Sequence, residues 1–94
     1  MDYTKEQALL VTTEWRGVFF GYGTPTRERS IELRDCRMCV YWSEDLQGLP
    51  GLTSGKLNGC RISPPAPSVL LHGITGLWTI TQETEKEWLK KHWN

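Results

Sequence analysis

Excess charge of either sign is missing from this 94-residue chain, since 11 Lys and Arg against 11 Asp and Glu leave a formal net charge of zero. A neutral chain has no long-range pull on a phosphate backbone, which argues against double-stranded nucleic acid as a partner. It also offers little repulsion between copies. Cysteines are few and odd in number, three in all, so no disulfide framework is expected and reduced thiols in a cytoplasmic protein are. Two histidines, His72 and His92, leave little material for general-base chemistry. No window approaches the roughly 18 apolar residues of a membrane span. Residues 1–12 (MDYTKEQALLVT) carry no basic region followed by an apolar core, so no secretory signal is expected. A phosphate-binding P-loop is missing too: Ser54-Gly55-Lys56-Leu57 has the Gly-Lys pair without a following hydroxyl.

Present in abundance are aromatic residues in short apolar runs. Thr13–Gly23 (TEWRGVFFGYG) and Arg37–Ser43 (RMCVYWS) place Trp15, Phe19, Phe20, Tyr22, Tyr41 and Trp42 in apparent strands that are apolar on both faces. A strand with one solvated face alternates apolar and polar residues, so these need two covers. The domain's own core supplies one, and a partner subunit or a ligand is expected to supply the other. Ala8–Thr13 reads as a first strand that continues through a bend into Glu14–Tyr22. Gly17, Gly21 and Gly23 within it predict strong curvature. Ser30–Arg34 alternates and predicts a half-solvated strand, with a turn at Asp35 and Cys36 before the next strand.

From Glu44 to Gly59 the glycines at 48, 51, 55 and 59, with Pro50, exclude helix on propensity and predict a long loop. Its four leucines predict that it lies against something. Cys60–Ser63 reads as a brief strand, and Ser68–Thr81 as one or two more around Gly73 and Gly76. Thr81 as N-cap, Glu83 and Glu85 in the first turn and Lys90, Lys91 and His92 in the last predict a single C-terminal helix with a Trp88–Leu89 stripe. The fold class is therefore mainly β: a small curved sheet or barrel of five to seven strands with one C-terminal helix, forming one domain over residues 1–94.

Cys36-x-x-Cys39 with Cys60 and His72 makes a nominal zinc set, but residues three apart on a strand point to opposite faces, so no metal and no cofactor is expected. Catalytic residues are likewise expected to be absent. Arg16, Arg37, Arg61 and Lys56 stand beside Trp15, Tyr41 and Trp42 in sequence, a combination able to pair phosphates and stack a base. Arg16, Arg37, Tyr41, Trp42, Lys56 and Arg61 are thus the candidate ligand-binding residues, with the Gly48–Gly59 loop closing over them.

Thr13-Glu14-Trp15-Arg16-Gly17-Val18-Phe19-Phe20-Gly21, Cys39-Val40-Tyr41-Trp42-Ser43, Gly48-x-x-Gly51-Leu52, Gly59-Cys60-Arg61-Ile62 and Leu71-His72-Gly73-Ile74-Thr75 together resemble a family of small uncharacterised proteins of phages and of actinobacterial or proteobacterial genomes. The resemblance spans most of residues 10–90 and brings no functional residues with it. It implies a phage or prophage setting. The expected function is then a non-enzymatic homo-oligomer in the host cytoplasm that sequesters a small anionic signalling nucleotide of host defence. The alternative is a structural or assembly protein, virion or ring-forming, with no small-molecule ligand. The two differ in whether the arginines converge on an aromatic wall or scatter along rims.

Overall fold

The computed structural model describes residues 1–41, 49–54, 57 and 60–90, without the side chains of Arg16, Tyr41 and Leu49. Trp42, Ser43 and Lys56 lie outside the described residues. The described chain is mainly β. Strand β1 (Gln7–Thr13) runs through a single 3-10 turn (Glu14–Arg16) into β2 (Val18–Gly23), and β3 (Ser30–Tyr41) follows. A short helix α1 (Leu49–Ser54) precedes β4 (Arg61–Ile62), β5 (Ala66–His72) and β6 (Ile74–Thr79), and helix α2 (Gln82–Lys90) follows them.

All pairings are antiparallel, in the order β4-β3-β2-β1-β6. Strand β3 is long enough to hold two neighbours, β5 along Ser30–Cys36 and β4 at Cys39 and Tyr41. The sheet is curved and unclosed. Only Gly73 separates β5 from β6, which pair with β3 and β1 respectively, so the chain itself crosses there from one side of the sheet to the other. That crossing needs φ of +70° at Gly73, which glycine adopts without a Cβ penalty. The glycines of β2 serve close packing: a Cβ on Gly21 would come within 2.9 Å of the Leu33 Cβ, and one on Gly23 within 2.7 Å of the Glu32 carbonyl.

Both faces of β1 and β2 are covered by this chain alone. Leu9 and Val11 face a cluster with Ile31, Leu33, Cys36 and Leu71. Leu10, between them, faces the opposite cluster with Phe20, Leu52, Ile62 and Trp88. Helices α1 and α2 supply much of that second layer. Trp88 stacks on Phe20 with ring centroids 5.1 Å apart and planes 9° off parallel, and its Nε1 donates to the Leu52 carbonyl at 3.1 Å. The second cover of β1 and β2 is therefore intramolecular, where a partner or ligand was expected.

Two further expectations are corrected. Helix α1 forms inside the glycine-bearing segment, because Pro50 near its start suits a first helical turn and tertiary burial of Leu52 outweighs propensity. Thr53 and Ser54 hydroxyls donate back to the Pro50 carbonyl at 2.7 and 3.2 Å. Asp35 does not end a strand. It sits at φ of +50° as a bulge inside β3, and the strand continues to Tyr41 with its face parity reset. In α2 the N-cap is as read, with the Thr84 amide donating to Thr81 Oγ1 at 3.2 Å. Of the expected stripe, Trp88 is buried and Leu89 is exposed.

Candidate functional site

The turn from β1 to β2 is held by its backbone: the Thr13 amide donates to the Gly17 carbonyl at 2.9 Å, and the Glu14 amide to the Gly73 carbonyl at 3.0 Å. Glu14 also pairs with Arg29 at 3.0 Å. At its apex Trp15 has φ of +66° and ψ of +24°, and 97% of the residue is exposed. A bulky side chain in the left-handed region is disfavoured by about 1–2 kcal/mol. Leaving an indole in water forgoes burial worth about 1.5–3 kcal/mol. Folding gains nothing visible from either.

The register extends this apolar surface. Phe19 pairs with Met38, which places Val40 level with Gly17, two residues from Trp15. Met38 is 40% and Val40 46% exposed. Both lie on the face of β3 opposite Cys39, which belongs to the helix-covered cluster. So the strand that was expected to need an outside cover keeps Met38 and Val40 uncovered, at the end of the sheet where the Trp15 turn joins β1 to β2.

Of the predicted ligand-binding residues, Arg37 and Arg61 have described side chains. Arg37 pairs with Phe20 and so stands on the helix-covered face, where its guanidinium makes one long hydrogen bond of 3.4 Å to the Asp35 carbonyl. Arg61 neighbours the buried Ile62, the partner of Cys39, and so faces the Met38–Val40 side. The two arginines stand on opposite faces of the sheet. Tyr41 is placed by its backbone opposite Arg61. The side chains of Arg16 and Tyr41, and all of Trp42 and Lys56, lie outside the described residues.

The arginine–aromatic pairs among the described residues are different ones. Arg34 lies over the Tyr22 ring at 5.0 Å and Arg27 over Tyr3 at 4.4 Å. Arg34 is committed to carboxylates, at 2.7 Å to Glu6 and 2.7 Å to Asp35. It borders an open cleft of about 560 Å³ lined also by Glu6, Tyr22, Glu32 and Ser30. With two glutamates against one neutralised arginine, that cleft does not suit an anion. Tyr22 donates to Glu85 Oε2 at 2.6 Å, and burial, then that carboxylate, pushes the phenol up to about 12.

The nominal zinc set does not converge. Cys36 is in one core cluster, Cys39 and Cys60 in the other, and His72 is exposed on β5. Among the described residues no group of His, Cys, Asp and Glu could hold a metal ion. Burial pushes the Cys36 thiol up to about 11, away from thiolate chemistry. Ser30 Oγ and His72 Nδ1 are 3.0 Å apart, an exposed cross-strand hydrogen bond with no third group orienting the ring among the described residues. Trp15 as a site residue was missed in the sequence, although Thr13–Gly17 has the polar-flanked, glycine-ended composition of a turn that displays its centre.

No helix among the described residues is long and apolar enough to cross a membrane. A comparison with the curated proteins and with the solved structures finds no match to this chain. The six strands, helix α1, all of α2 but its last two residues, and the exposed Trp15, Met38 and Val40 fall within residues 6–88, the span that matches a domain of unknown function, and the chain belongs to that family, DUF6948.

Proposed function

We propose that this protein is a non-enzymatic interaction module that docks another protein on the strip formed by Trp15, Met38 and Val40, with Arg61 at its rim. The observation that carries this reading is Trp15, 97% exposed on a backbone at φ of +66°. Strained and solvent-exposed groups that the fold does not need accumulate where something else uses them. Tryptophan and arginine are also the residues most enriched among binding hot spots. Opposite-facing Arg37 and Arg61 favour the assembly reading over a single-chain anion pocket. The phage or prophage setting and the host cytoplasm belong to this reading, in which a small neutral protein engages a virion component or a host factor.

The test is affinity capture from the native cell with the wild-type chain, Trp15→Ala and Leu89→Ala. Leu89 is 43% exposed on α2, away from the strip. A protein retained by wild type and Leu89→Ala and lost with Trp15→Ala supports the reading. Equal retention by all three overturns it.

Nucleotide capture between subunits stands second, and one observation favours it: Arg37 makes no ion pair with a carboxylate among the described residues. Opposite sheet faces on one chain could meet at a ligand only across an interface. A thermal-shift panel of cyclic and linear nucleotides tests this, since ligand at about 100 times its Kd stabilises by about 2.7 kcal/mol. A shift abolished by Arg37→Ala supports capture, and silence across the panel removes it.

A further inference from the structure

Three strands of this sheet end it sideways, and they are not guarded alike. Strand β4 is two residues long, which by itself limits pairing with another chain. Strand β5 carries Pro67, which has no amide to donate. Strand β6, Ile-Thr-Gly-Leu-Trp-Thr, has no charge and no proline. Its one irregularity is at its start, where Thr75 is the extra residue between the pairs Thr12–Gly76 and Thr13–Ile74.

The free groups on β6 can be assigned from its neighbour. Thr13 turns its amide toward β2, to Gly17, and Glu14 turns its amide to Gly73, so odd residues of β1 face β2 and even residues face β6. Trp78 and Gly76, opposite Leu10 and Thr12, therefore point their backbone groups at β1. Leu77 and Thr79 point theirs outward, and among the described residues nothing bonds them. Past Thr79 the edge ends, because the Thr81 amide donates to the Thr53 carbonyl of α1 at 2.9 Å.

We infer that β6 pairs antiparallel with β6 of a second copy, across a two-fold axis at Leu77. An unguarded edge asks for an extended backbone, and a second copy brings the same unsatisfied row, so that one contact completes two edges and closes the assembly. Zero net charge leaves no repulsion to oppose it. In this register Leu77 meets its own symmetry mate and Thr75 stands opposite Thr79 of the partner subunit. Trp78 stands opposite Gly76 of the partner subunit, where no side chain obstructs the ring. Level with Thr81, where Thr53 already occupies the backbone, the kink at Gly73 of the partner subunit turns its chain away. This pairing is independent of the Trp15 strip.

The test uses the outward amides, since the Thr75 side chain is bonded to Thr12 at 3.0 Å on the face opposite that of Thr79. Light scattering after size exclusion should give twice the chain mass for wild type. Thr79→Pro removes an outward amide while leaving the pairing with β1 intact, and should weaken self-association by about tenfold or more. Leu89→Ala, at an exposed position on α2, should leave the dimer as it is. A monomeric wild type overturns the inference, as does a dimer indifferent to Thr79→Pro or weakened equally by both variants. Hydrogen exchange on the wild-type chain, free of folding effects of substitution, should show the Leu77 and Thr79 amides gaining protection as concentration rises. Protection that stays constant also overturns it.

Discussion

Two tryptophans of this chain meet opposite fates. Trp88 is fully buried, stacked on Phe20 and hydrogen-bonded through Nε1 to Leu52. Trp15 is 97% exposed on a left-handed backbone. The first tells what the fold can do with an indole: satisfy its N–H, flatten it against an aromatic neighbour and tie two helices to a sheet. The second is left outside by a chain that has just shown it can do better. Burial alone explains Trp88, whereas Trp15 calls for a purpose beyond the fold.

The contrast breaks most visibly at Trp88. Trp88→Ala should cost about 3–5 kcal/mol in chemical denaturation, because it empties the layer between α1, α2 and Phe20. A loss near zero would show that α2 does not hold the sheet. Tyr22→Phe comes next, with an expected loss of about 1 kcal/mol from the hydrogen bond to Glu85. The phenol's pKa is raised in the fold, so its stabilisation is complete below the unfolded value of 10.0 and declines as pH rises through about 12. Denaturation midpoints measured across that window should fall in wild type, with a shallower fall in Tyr22→Phe.

Trp15→Gly sharpens the comparison with the opposite sign. Removing the left-handed strain should leave stability unchanged or raise it by about 0.5–1 kcal/mol, net of the entropy glycine adds to the unfolded chain. A loss above about 1 kcal/mol would mean that the indole serves folding after all. The smallest effect concerns Cys36. Its buried thiol, pushed up to about 11, should resist alkylation in the native state and react at once on denaturation. The raised value also makes its stabilising contribution complete below 9.0 and diminishing above it.

Much of this fold was legible residue by residue. Alternation in Ser30–Arg34, the glycine break at 73 and the charge-capped α2 each rest on local chemistry that tertiary contacts did not override. Helix α1 was not legible, since its glycine and proline argue against helix and only the pocket for Leu52, under Trp88, selects it. The site was less legible still. Arg37 and Arg61 stand near aromatics in sequence, yet their faces depend on the bulge at Asp35, on the pairing of Arg37 with Phe20 and on that of Ile62, next to Arg61, with Cys39. A one-residue slip moves every following side chain to the other face.

By itself, then, the amino-acid order determined a neutral, mainly β chain, strongly curved as sheet or barrel, with a capped terminal helix, because period, glycine placement and end charges act over a few residues. Only the tertiary structure decided that β1 and β2 find both covers within the chain, that β5 and β6 cross the sheet at Gly73, and that Trp88 goes in while Trp15 stays out. Those outcomes turn on which neighbour arrives at each face, and that is a property of strand register and helix docking rather than of any local run of residues.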